Sequence, residues 1–168
     1  MSLSKRVAAY GILISLTLAL SYAESLLPVN LAVPGVKLGL ANIGVLVALY
    51  ILGDRAGVVI SLIRAVVMGL LFSGVTAMLY SLAGALFSIT GMALLKRTNL
   101  FGIAGVSVAG AALHIAGQAL VSRWLLGSWA VLAYMPLLLG VSCITGVFNG
   151  AAAGMTVKYA GKARNKNR

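Results

Sequence analysis

Between Arg6 and Val157 the sequence is a succession of apolar segments, several of them about 14 to 25 residues long, separated by short turns that carry glycine, proline or a few charges. Segments of that length cross a ~30 Å hydrocarbon layer as helices, and a chain that repeats them has no way to bury them all in one water-soluble core. With 61% apolar and 9% charged residues and a mean hydropathy of +1.07, 168 residues are too few to hide that surface from water. The segments lack the strict alternation of barrel strands, and the 20 glycines are spread through them as in packed membrane helices. The expected fold is therefore all-α: one integral membrane domain, a bundle of six transmembrane helices over about 6–27, 38–52, 56–72, 76–95, 100–126 and 132–157, with a basic cytoplasmic tail over 158–168. The second helix is short for a full span, so it either tilts little or enters from a re-entrant loop.

Lipid is the first partner this predicts, and charge sets the orientation. If six helices leave both termini on one side, that side carries Lys5, Arg6, Arg55, Lys96, Arg97 and every cation from Lys158 onward. The other side holds Lys37 and Arg123, with Arg64 between. The positive-inside rule then puts both termini in the cytoplasm, with the protein in the cell membrane. The net charge of +11 is thereby explained by topology, and nucleic acid is excluded as a partner because no aromatic platform accompanies the cations. The first apolar segment outruns a signal-peptide core and shows no cleavage pattern, so it is read as a retained helix. The single cysteine, Cys143, lies in an apolar run and reads as a small buried hydrophobe.

Chemistry is confined to a few positions. The stretch Pro34–Ile43, PGVKLGLANI, supplies a turn, then Lys37, then Asn42 about one helical turn inside the second helix. Glu24, near the outer end of the first helix, is one of two acids in the chain. Arg64 falls near the middle of the third helix, where a guanidinium costs at least ~2.5 kcal/mol unless it faces a partner or a wet cavity. Either it pairs with Glu24 or helix-end carbonyls, or it binds an anion. His114 and Gln118 are four residues apart and share a helix face; the histidine is either a packing residue or a ligand contact. A metal site is not expected, since no second histidine or acid stands nearby. If Lys37, Asn42, Arg64, His114, Gln118, Glu24 and Arg123 converge on one outward chamber, its cations and neutral donors exceed its acids, and it suits a small anionic or carbonyl-rich molecule.

Small residues recur every fourth position in three helices: Gly11, Ser15, Ala19 and Ala23; Gly57, Ser61, Ala65, Gly69 and Ser73; and Ser142, Gly146, Gly150 and Gly154. Such stripes let helices approach closely, within the chain or against a second membrane protein.

The run PGVKLGLANI, then Leu49-Tyr50-Ile51-Leu52-Gly53, Arg64, Tyr80-Ser81-Leu82-Ala83-Gly84-Ala85 and GVSVAGAALHIAGQ over 105–118 resemble the Gx transporter family, also known as heptaprenyl diphosphate synthase component I. That family is more distantly similar to the substrate-binding S components of energy-coupling factor (ECF) vitamin transporters. The resemblance implies a ligand held near the outer face under the loop between the first two helices, with Lys37, Asn42, Arg64, His114 and Gln118 as the pocket group. It also implies docking of the first helix, Ala19 and Ala23 included, onto a transmembrane coupling subunit that works with ATPases. The implied function is a transport subunit capturing a vitamin, flavin or diphosphate type of molecule from outside. The alternatives are a non-catalytic membrane component of heptaprenyl diphosphate synthase in isoprenoid and quinone biosynthesis, and a helix bundle that only scaffolds a larger complex. Neither catalysis nor a cofactor is expected of the chain itself: prenyl elongation needs acidic clusters for Mg²⁺, whereas Glu24 and Asp54 are thirty residues apart, and no GxxxxGK[ST] loop is present to bind ATP.

Overall fold

A computed structural model describes residues 3–26, 38–127 and 131–166. Its helices are α1 (Leu3–Leu26), α2 (Ala41–Ile51), α3 (Asp54–Met68), α4 (Gly74–Thr98), α5 (Ile103–Leu126) and α6 (Val131–Lys166), with a π-helical turn, Gly69–Ser73, joining α3 to α4. The described residues contain no strand. Residues 27–37, Lys37 among them, and 128–130 lie outside the described residues.

The helix count needs correcting as a count of membrane spans. Four stretches are long and apolar enough to cross: Leu3–Leu26, Asp54–Thr98, Ile103–Leu125 and Leu132–Lys162. Helix α2 has 11 residues, about 16 Å at ~1.5 Å per residue, roughly half the hydrocarbon thickness. It is instead the innermost helix, with Ala41 and the whole run Gly44–Leu49 buried, as expected of a segment apolar on every side. It packs against α1, α3 and α6. The basic segment expected as a tail is helical as far as Lys166, a continuation of α6.

The stretch Asp54–Thr98 is folded back on itself. Gly74, at φ +80°, takes a conformation that disfavours a side chain, and Gly69 leaves no room for a Cβ against Met78, so α3 and α4 run antiparallel. Their far ends are tied together. Lys96 Nζ donates to Asp54 Oδ1 at 3.1 Å and to the Leu49 carbonyl at 2.7 Å, and Arg97 Nη2 donates to Asp54 Oδ2 at 2.7 Å. One clasp thus joins the carboxyl end of α2, the amino end of α3 and the carboxyl end of α4, each charge lying where the helix dipole favours it.

Close packing elsewhere depends on missing side chains. A Cβ on Gly117 would lie 2.7 Å from the Ala83 carbonyl oxygen across the α4–α5 contact, and one on Gly150 would lie 2.5 Å from Ala104 Cα across α5–α6. Gly44 of α2 sits against the Thr17 hydroxyl of α1 with no space for a methyl. The stripes on α3 and α6 serve this packing, with Gly57, Ser61, Ala65, Gly69, Ser142, Gly146 and Gly150 all buried. The α1 stripe does not: Gly11, Ser15, Ala19 and Ala23 are exposed.

Candidate functional site

All six helices contribute to one cavity of about 110 Å³. Its polar wall comes from Glu24 of α1, Asn42 of α2, Arg64 of α3, and His114 and Gln118 of α5. Asn149 of α6 completes that wall, and Ser61, Ser81, Ser88 and Thr145 add hydroxyls. Val45, Ala85, Ile115, Leu138 and Val141 make the apolar part. Of the seven residues singled out in the sequence, five therefore line one space. Arg123, in the last turn of α5, is not among the lining residues, and Lys37 lies outside the described residues.

The amino end of α2 closes one side. No side chain of its own caps it; Glu24 reaches across from α1 instead. The Gly39 and Leu40 N–H groups donate to Glu24 Oε1 and Oε2 at 2.8 and 3.0 Å, so a carboxylate occupies the positive end of the helix. From the other flank Asn149 Nδ2 donates to the Leu38 and Gly39 carbonyls at 2.9 and 3.1 Å. Gly39 makes this entry possible, turning the chain at φ +70°.

Arg64 stands differently. Its Nε is enclosed and has no hydrogen-bond partner, and the ion pairs among the described residues belong to Asp54, not to Glu24 and Arg64. A buried pair between Arg64 and Glu24, one of the two sequence readings, is therefore not what forms, because the carboxylate is already committed to α2. Among the described lining residues one cation meets one acid, so the expected excess of cations is not found there; the acid, however, is spent and the cation is not.

His114 packs its ring directly over Gly84, where a Cβ would come within 2.7 Å of Nε2. The imidazole is thereby held at the cavity wall between α4 and α5. Among the described residues no group of three or more His, Cys, Asp or Glu side chains could hold a metal ion. Sequence reasoning passed over Asn149 and the serine hydroxyls. Asn149 carried the same signal as Asn42, an amide inside an apolar run, but its partners are carbonyls 110 and 111 residues away.

A family model described as heptaprenyl diphosphate synthase component I matches residues 13–156. No curated protein and no solved structure matches the chain.

Proposed function

The chain belongs to the heptaprenyl diphosphate synthase component I family, and from that premise we propose that it is a membrane protein that captures a small anionic or carbonyl-bearing molecule in its central cavity and passes it inward with partner subunits. One observation carries the reading: Arg64 keeps an enclosed, unpartnered Nε on a cavity to which every helix contributes. A buried donor without a partner costs about 1–3 kcal/mol, and more when charged. A ligand oxygen in the cavity offers a partner to a guanidinium that forms no ion pair among the described residues, and Asn42, Gln118 and His114 stand on the same wall to read its other polar atoms.

In this reading the helices form an S-component-like bundle in the cell membrane with α2 enclosed within it and both termini cytoplasmic, and the cavity opens toward the outside on the side of Arg123. The exposed stripe Gly11, Ser15, Ala19 and Ala23 docks on a transmembrane coupling subunit driven by ATPases. The volume narrows the ligand. A cavity of about 150 Å³ accepts benzene, so about 110 Å³ encloses a compact head rather than a whole flavin. Native mass spectrometry of gently purified protein tests this: a small molecule should accompany the wild type and be lost from Arg64→Gln. Equal retention by both would make Arg64 merely structural.

The family description favours a second reading, a non-catalytic membrane component that works beside the other synthase component in isoprenoid biosynthesis. Glu24 and Asp54, the chain's acids, sit at opposite ends of α2, so the Mg²⁺-binding carboxylates of prenyl elongation must come from elsewhere. Affinity purification separates the two readings, since the first recovers ATPases with a coupling membrane protein and the second a soluble prenyl synthase.

A further inference from the structure

The capture reading leaves open where a ligand's charge goes, and resting on that reading we infer that Glu24 is an exchangeable occupant: the ligand's oxyanion, a carboxylate or phosphate, binds between Arg64 and the amino end of α2 by taking the place of the Glu24 carboxylate. Two independent observations meet there. The Gly39 and Leu40 N–H groups already hold an oxyanion in bidentate fashion, at 2.8 and 3.0 Å, which shows that the amino end of α2 is shaped to accept one. Arg64 lines the same cavity with an enclosed, unpartnered Nε, and forms no ion pair with Glu24. A single carboxylate from α1 satisfies the helix and leaves the guanidinium unmet. A mobile oxyanion seated between the two would satisfy both.

The geometry also keeps the donors in place during exchange. Asn149 holds the carbonyls of Leu38 and Gly39 from α6, so the turn that presents the N–H groups does not depend on Glu24 alone. The chemistry selects one compact anionic group. A neutral amide offers no charge to Arg64, and the cavity volume of about 110 Å³ leaves little room beyond such a group.

Anion rescue tests the exchange. Glu24→Ala removes the resident carboxylate, and the variant should melt below the wild type in detergent. Acetate or inorganic phosphate should then raise its melting temperature by several degrees more than they raise that of the wild type, at ionic strength matched with chloride. Acetamide should not. The arm that rescues more strongly identifies the head as carboxylate or phosphate, and Glu24→Ala/Arg64→Gln should lose the rescue. Equal shifts in wild type and Glu24→Ala, or rescue that survives loss of Arg64, overturn the inference. If Glu24→Ala cannot be purified, Glu24→Gln keeps the length of the side chain and removes the charge that holds the donors. Acetate or phosphate should then bind several-fold more tightly than to wild type, and unchanged affinity overturns the inference. A molecule that copurifies in an Arg64-dependent manner while anion rescue fails would leave the capture reading standing and remove only the exchange.

Discussion

At the scale of single residues, the polar groups divide into those that hold the cavity and those that are left for a guest. Asn149 belongs to the first class. It is 5% exposed and its amide satisfies two carbonyls at the start of α2. Asn149→Ala should therefore cost about 1–3 kcal/mol, the usual penalty for stranding buried acceptors, read as a lower melting temperature in detergent. Asn149→Asp should cost more, since a carboxylate would face carbonyl oxygens. The clasp at the opposite end offers a graded comparison. Lys96 serves both Asp54 and the Leu49 carbonyl with its side chain 25% exposed, whereas Arg97 is 68% exposed. Arg97→Met should then shift stability by no more than about 0.5 kcal/mol, and Lys96→Met by clearly more, because it also leaves the end of α2 without its donor. Much of the site could be read from the sequence at this scale. Glu24, Asn42, Arg64, His114 and Gln118 stood out because polar groups in an apolar run are costly and rarely idle. What they touch was not legible: that Glu24 would cap α2 rather than pair with Arg64 depends on an approach of helices fifteen residues apart in sequence.

At the scale of elements, a four-residue spacing of small side chains announces a smooth helix face but not what covers it. The stripes on α3 and α6 are covered from within up to their last members, Ser73 and Gly154, and the stripe on α1 is bare. The distinction predicts opposite responses to similar substitutions. Gly150→Ala sets a methyl against Ala104 Cα, and Gly117→Ala sets one against the Ala83 carbonyl. Backbone cannot yield as a side-chain tip can, so each should destabilise by about 1–3 kcal/mol and reduce the yield of monodisperse protein. Gly11 has nothing within 4 Å of the position a Cβ would take. Gly11→Leu should leave the melting temperature of the isolated protein unchanged while abolishing copurification of any membrane subunit that docks on this face. Helix existence and type were legible because the apolar runs are long. The role of α2 was not, since eleven apolar residues describe a short span, a re-entrant segment or an enclosed core helix equally well.

At the scale of the whole molecule, the remaining question is how many times the chain crosses lipid, and the α3–α4 hairpin decides it. Its two open ends are fastened by Asp54, Lys96 and Arg97, on the side that also carries Arg55 and, by its place at the start of α1, Lys5. Its apex is Leu70, Leu71 and Phe72, all exposed and apolar. From Asp54 to Ser73 the first arm runs for 20 residues, about 30 Å at ~1.5 Å per residue, enough to reach the far face of the hydrocarbon layer. An apolar apex without a charged residue is costly to place in water, yet it suits the headgroup boundary, where Phe72 meets Tyr22 of α1 at 5.2 Å between ring centres. If both arms cross, then in a Cys143→Ser background a membrane-impermeant thiol reagent should modify Ser73→Cys from outside intact cells. Arg55→Cys should react only after the membrane is opened. Protection of both positions until the membrane is opened would mean that the hairpin enters and leaves on the cytoplasmic side, and the cavity would then open toward lipid instead of the exterior.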